Sequence, residues 1–150
     1  MKKLRWFGLV TSVALVLIVC LSGCGPSEKM LAAFDDDAVI GKNTESYYMM
    51  NSTQSNIGNQ YKYTLGKFSG VKKLKTVSVE DNPIITLKLN IEGGDFKLVL
   101  VGEDKIIHII SDKNCDAVIR VTLSAGKYDI KMVGKYAAKV NFTLCLDFTY

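Results

Sequence analysis

Few side chains in this sequence have types and spacings that could do chemistry. His108 is the single histidine, set between Ile107 and Ile109 in an apolar run. A catalytic triad or a zinc site built on it would need a nucleophile elbow or a second imidazole, and the sequence offers neither. It reads as a structural or edge histidine. Asp35, Asp36 and Asp37 could offer carboxylates to Ca²⁺, but the run lacks the ligand spacing and distal Glu of a calcium loop. Solvated charge is the plainer reading, and no metal or other cofactor is expected. Glu92 and Asp95 flank Gly93-Gly94, with Glu103-Asp104 in the next polar stretch. Paired carboxylates can hydrolyse glycosides, yet they need a cleft to act in. Tyr47, Tyr48, Tyr61, Tyr63 and Phe68 could form an aromatic platform for a sugar or peptide. Tyr61 and Tyr63 share one strand face, though, and core packing explains them more simply.

The thiols are more informative. Of four cysteines, Cys20 and Cys24 fall in an unusual N-terminal segment. Lys2, Lys3 and Arg5 open it, then Trp6 to Leu21 runs without a charge, and small Ser22 and Gly23 precede Cys24. A basic start, an apolar stretch and small residues at the end are the layout of a secretory signal. Cys115 and Cys145 remain as an even pair in an exported chain, where a disulfide between them is an option and two free thiols the alternative.

Leu21-Ser22-Gly23-Cys24 resembles the lipobox of bacterial lipoproteins, over the first 24 residues only. The resemblance implies that diacylglycerol is attached to the Cys24 sulfur and that a signal peptidase cuts between Gly23 and Cys24. Physical chemistry gives the consequence. Each buried methylene contributes about 0.8 kcal/mol, so one acyl chain binds a membrane reversibly while two hold it stably. An exported chain anchored by lipid at the extracytoplasmic face of the membrane is the expectation. An uncleaved membrane helix over Trp6 to Ser27 is the rival.

Loss of residues 1–23 changes the charge. The full chain holds 19 basic and 15 acidic residues, a net of +4. Lys2, Lys3 and Arg5 leave with the signal, so 16 basic residues face 15 acidic ones and the net falls to about +1. Nucleic acid is not an expected partner, because it calls for a clustered basic footprint. Lys72, Lys73 and Lys75 form a local cluster that a solvated strand edge explains.

The elements that must position these groups divide the rest. Residues 24–60 read as a lipid-anchored, partly disordered tether, polar and turn-rich around Asn51 to Asn59. Two apolar islands interrupt it, Met30 to Phe34 and Tyr47 to Met50, either of which could pack onto the domain as a helical turn. From Tyr61 the apolar residues alternate: Tyr61, Tyr63 and Leu65; Ile85, Leu87, Leu89 and Ile91; Phe96, Leu98 and Leu100; Ala117, Ile119, Val121 and Leu123; Tyr128, Ile130 and Met132; Val140, Phe142, Leu144, Leu146 and Phe148. Such alternation puts one face in a core and the other in water. Gly93-Gly94 is a hairpin signal, and Gly102-Glu103-Asp104, Asp112-Lys113-Asn114, Ala125-Gly126 and Gly134-Lys135 mark further turns. The runs Lys97 to Val101 and Ile106 to Ile110 are apolar on both faces, which places them centrally. Residues 61–150 are therefore expected to be all-β, an antiparallel sandwich of about eight short strands, jelly-roll or immunoglobulin-like.

The stretch Gly126 to Ala137, followed by Val140-Asn141-Phe142-Thr143-Leu144, resembles the closing hairpin of exported β-sandwich modules of the pre-peptidase C-terminal type. That resemblance implies a sandwich. The function expected is a binding or structural module of the cell envelope, not an enzyme, with an envelope protein or glycan as ligand. A small hydrolase using carboxylates is the alternative.

Overall fold

A computed structural model describes residues 25–80 and 83–147. The expected signal segment and Cys24, the expected lipid acceptor, lie outside the described residues. The chain is all-β, in antiparallel pairs throughout. Two short helices lead in, α1 (Glu28–Ala32) and α2 (Asp37–Ile40), joined by a 3-10 turn (Ala33–Asp35). They are followed by β1 (Ser46–Ile57), β2 (Gln60–Val79), β3 (Ile84–Gly102), β4 (Ile107–Ser111), β5 (Cys115–Arg120) and β6 (Gly126–Asp147). The sheet order is β1-β2-β6-β3-β4, with β5 also on β3.

The strands number six among the described residues instead of eight, because β2, β3 and β6 are 20, 19 and 22 residues long. Each serves two layers by bending. β2 shifts register against β6 between Phe68 and Gly70, and β3 does so between Gly93 and Asp95. Gly93-Gly94 is thus no hairpin, and Gly134-Lys135 no turn. Ile91 pairs with Val140 and Phe96 with Gly134, so β3 continues along β6 across the bend. Gly94 sits at φ +66, and a Cβ there would lie 2.1 Å from the Tyr136 carbonyl oxygen. The glycines let bent backbones touch.

Folding at these bends closes the sheet into a sandwich. Tyr63 stacks on Phe142 at 4.9 Å in one half of the sheet, and Phe96 from the other half approaches Phe142 at 5.9 Å. Leu65, Leu87, Leu89 and Leu144 from one layer and Leu98, Leu100, Ile130 and Met132 from the other share this core.

The far half has a second covered face. Ala33 and Ile40 from the lead-in pack on Val71, Val99, Val101 and Val133, with Phe34 and Val39 beside them. That is why Lys97 to Val101 is apolar on both sides. The reading of Ile106 to Ile110 as central is corrected: β4 is an edge strand, and Ile106 and Ile109 are each 55% exposed.

The tether expected over residues 24–60 is corrected too, from Gly25 onward. Ser27 Oγ caps α1 by accepting from Met30 N–H at 3.4 Å. The island Met30 to Phe34 forms helical turns, as anticipated, while Tyr47 to Met50 belongs to β1. β1 pairs with β2 from Ser46↔Val71 to Ile57↔Gln60. Beyond Val71, β2 is an edge, and there Lys72 lies over the Tyr47 ring, Lys73 pairs with Asp129 and Lys75 donates to the Tyr61 hydroxyl.

Candidate functional site

At the far end of the sandwich four segments enclose a cleft of about 490 Å³, with Lys42, Lys73, Lys105 and Lys127 among its lining residues. Each lysine comes from a different segment. Lys73 lies on β2 and Lys127 at the start of β6. Lys42 follows α2, and Lys105 sits in the β3–β4 turn.

Local chemistry fixes these walls. The turn is closed by Lys105 N–H donating to the Gly102 carbonyl at 3.0 Å and Gly102 N–H donating to that of Ile106 at 3.1 Å. Asp104 Oδ1 accepts from Ile106 N–H at 3.0 Å. Lys105 is held at φ +64, in the left-handed region that favours glycine. The opposite wall is held from below. Lys131, 2% exposed, sends its ammonium into the carbonyl oxygens of Ile40 at 2.8 Å and Lys42 at 2.7 Å. The two walls meet where a Cβ on Gly41 would lie 3.3 Å from Lys105 Cβ.

The charges in the cleft are unequally compensated. Asp129 accepts from Thr76 Oγ1 at 2.6 Å and stands 3.7 Å from Lys73 Nζ. Glu103 lines the cleft from its turn. Among the described residues, no carboxylate lies within ion-pair distance of Lys42, Lys105 or Lys127. Burial lowers the Lys131 pKa, against the pull of Asp129, which raises it. With four lysines against Glu103 and Asp129, the cleft carries a net positive charge over a lining about half polar and half apolar.

The residues singled out from sequence do not gather here, apart from Glu103 and Lys73. His108 is half-buried on β4 with Tyr128 edge-on at 6.2 Å, a packing role. Asp36 caps α2 by accepting from Val39 N–H at 3.1 Å, and Asp35 pairs with Lys135 at 2.9 Å. Among the described residues no group of three or more His, Cys, Asp or Glu could hold a metal ion. Glu92 pairs with Lys139 at 2.8 Å, away from Glu103 and from Asp104, which caps the turn. The aromatic platform is not formed, because Tyr61, Tyr63 and Phe68 are buried, which leaves the exposed Tyr47 and the half-buried Tyr48.

Cys115 and Cys145 are unbridged free thiols, which corrects the disulfide option. Cys115 pairs with Leu89 and Cys145 with Thr86, on opposite flanks of β3. Leu89 faces the core and Thr86 the other side, so the sulfurs lie on opposite faces of the sheet.

Sequence reasoning missed the cleft as a site. Lys42, Lys73, Lys105 and Lys127 are separated by long stretches of chain, and no local pattern joins them. Their one sequence signal is position, since Lys105 falls inside an expected turn.

No family model matches this chain, and no curated protein matches it. Among solved structures, it is similar to a periplasmic inhibitor of g-type lysozyme from Aeromonas hydrophila, at 14% identity over 64% of this chain and 86% of that one, TM-score 0.35. It is also similar to Drosophila melanogaster CENP-C bound to CAL1, at 13% identity over 92% and 96%, TM-score 0.33. The Drosophila melanogaster CENP-C cupin domain follows, at 11% identity over 69% of each chain, TM-score 0.31. No TM-score among the three reaches 0.5, and the likeness extends to β-rich architecture alone.

Proposed function

We propose that this chain is an exported lipoprotein, anchored through Cys24, whose β-sandwich binds an envelope ligand in the lysine cleft without transforming it. The anchor rests on the lipobox pattern Leu21-Ser22-Gly23-Cys24 and the charge-free run before it. The binding role rests on one observation: a cleft lined by four lysines from separate segments, two of which have their backbone held by hydrogen bonds, Lys42 through Lys131 and Lys105 through its turn. Convergent polar groups held in a preformed concavity are what small-ligand recognition uses.

The ordered lead-in refines the topology of anchoring. Gly25 and Pro26 alone separate Cys24 from the cap residue Ser27. Two extended residues span about 7 Å, so a lipid on Cys24 holds the sandwich against the bilayer with little reach. Among the described residues no helix is long and apolar enough to cross a membrane.

The test is fractionation of cells making Cys24→Ser. In the proposal this variant keeps its unprocessed mass, takes up no labelled palmitate and loses the mature species that pellets with membranes. A variant that pellets at the wild-type processed mass refutes the anchor. For the binding role, envelope extract is passed over the immobilised full chain and over Lys127→Gln. A ligand held equally by both refutes the cleft as the binding surface.

A further inference from the structure

We infer that the cleft takes a phosphate-bearing anion of pyrophosphate size or larger. This rests on the reading of the cleft as the ligand site and adds the chemistry of the ligand.

Three observations lead there. First, Lys42, Lys105 and Lys127, free of ion pairs among the described residues, line one concavity from three segments of the chain. Lysine acts as a compact point charge with rotatable donors, suited to a tetrahedral oxyanion approached from several sides. Planar bidentate recognition of a carboxylate favours arginine instead, and no arginine lines this cleft. Second, Val101 is the one apolar residue of the lining, and the carbon stems of the lysines and Thr76 share with it the apolar half of the surface. There is no ring among the lining residues for a sugar to stack on. The volume of about 490 Å³ exceeds what a single orthophosphate fills.

Third, Lys105 occupies a left-handed backbone position at φ +64, where glycine would be adopted without strain. The hydrogen-bonded turn that holds this conformation fixes where the Lys105 side chain leaves the backbone. Lys131 underpins the opposite wall without facing the ligand: it is a positioning residue. Glu103 opposes the anion and sets a limit on affinity.

The same phosphate chemistry could reach the cleft from solution or from a lipid headgroup. The short link to Cys24 leaves both sources within reach, and the arms below separate them.

The experiment uses the full chain in a non-ionic detergent and follows pyrophosphate binding by calorimetry. Wild-type protein is expected to bind, more weakly as salt rises. Lys127→Gln is expected to weaken binding about tenfold, the size of one charge-assisted hydrogen bond. Lys105→Gly is expected to weaken it as much while melting no lower than wild type, which separates lost binding from lost folding. Glu103→Gln should tighten it. Absence of pyrophosphate binding, or binding unchanged in both lysine variants, overturns the inference.

Citrate serves as the carboxylate control. If citrate binds in a Lys105-dependent manner and pyrophosphate does not, the phosphate assignment fails while the binding cleft survives. If neither binds, both fall. Repeating the pyrophosphate titration in nanodiscs of zwitterionic and of anionic phospholipid separates the sources. Competition confined to the anionic discs identifies the headgroup, and equal binding identifies a soluble ligand.

Discussion

Lys131 on β6 donates to the carbonyl oxygens of Ile40 at 2.8 Å and Lys42 at 2.7 Å, pinning the end of α2 to a strand 91 residues later in the chain. A buried ammonium is costly unless its donors are used. Here it takes the place of a helix cap, since the last carbonyls of a helix lack intrahelical partners. The same contact aligns the segment Gly41 to Asn43 that walls the cleft.

Replacing Lys131 with Met should therefore cost stability although it removes a buried charge. The isosteric chain keeps the packing, but the Ile40 and Lys42 carbonyls lose their donor. An unsatisfied buried acceptor costs about 1–3 kcal/mol, and the expected loss is of that order. Urea denaturation of wild type and Lys131→Met checks it; equal midpoints would show that the contact contributes nothing.

The pH dependence has a definite sign. Burial lowers the Lys131 pKa from its ordinary value of 10.5, so just below 10.5 the unfolded chain binds more protons than the folded one. Stability from this residue then rises as pH climbs through the lowered folded value toward 10.5, and levels off above it. Tyr63 acts oppositely, because burial and then the nearby Tyr61 raise its pKa above 10.0. Its contribution is present below 10.0 and falls as pH rises past it. The Lys131 effect is isolated as the difference in stability between wild type and Lys131→Met across alkaline pH. A difference that stays flat refutes the burial penalty.

How the bend in β3 escaped the sequence is physically instructive. In the alternating run Leu87, Leu89 and Ile91 point inward, then Phe96, Leu98 and Leu100, an exchange of odd for even positions. A two-residue hairpin at Gly93-Gly94 makes that exchange, and so does a bulge in one continuous strand. Local pattern cannot separate them. What decides is distant: β6 is long enough to pair with both halves, Ile91↔Val140 on one side and Phe96↔Gly134 on the other. β1 escaped for another reason. From Asn51 to Ile57 both of its faces are exposed, so burial never imposed an alternation to read. The cap at Asp36 was legible in principle, as an Asp directly before Asp37-Ala38-Val39-Ile40. The alternation at Tyr61 to Leu65 and at Phe142 to Leu146 was legible because each strand there has one wet and one buried face.

Gly94→Ala should be among the most damaging single-methyl changes in the molecule. The added Cβ would stand 2.1 Å from the Tyr136 carbonyl oxygen, at φ +66. Backbone must move, and about 3 kcal/mol or more is expected from strain and clash together. Gly25→Ala, with nothing within 4 Å of its Cβ, is the control and should be neutral. If Gly94→Ala melts with wild type, β3 does not pass Tyr136 as described.

The thiols supply a third structural check. Cys115 and Cys145 on opposite faces of β3 leave nothing for a reductant to cut. Dithiothreitol should leave the melting temperature unchanged, and denatured, unreduced protein should react with two equivalents of maleimide at these positions. Loss of several degrees on reduction would reveal a bridge, because disulfides in small domains contribute about 2–5 kcal/mol.

Limited proteolysis distinguishes an ordered lead-in from a tether. A flexible segment is cut at once at its lysines, whereas cleavage of a packed one waits for local opening. The Lys42–Asn43 bond is the informative one, because the Lys42 carbonyl is held by Lys131 at 2.7 Å. Trypsin should spare this bond in the native wild-type chain, as read by mass spectrometry of short digests. In Lys131→Met the carbonyl is released, and the bond should become an early cut while the sandwich core stays intact. Rapid cleavage after Lys42 in wild type would restore the tether, and with it a cleft whose wall has no fixed position.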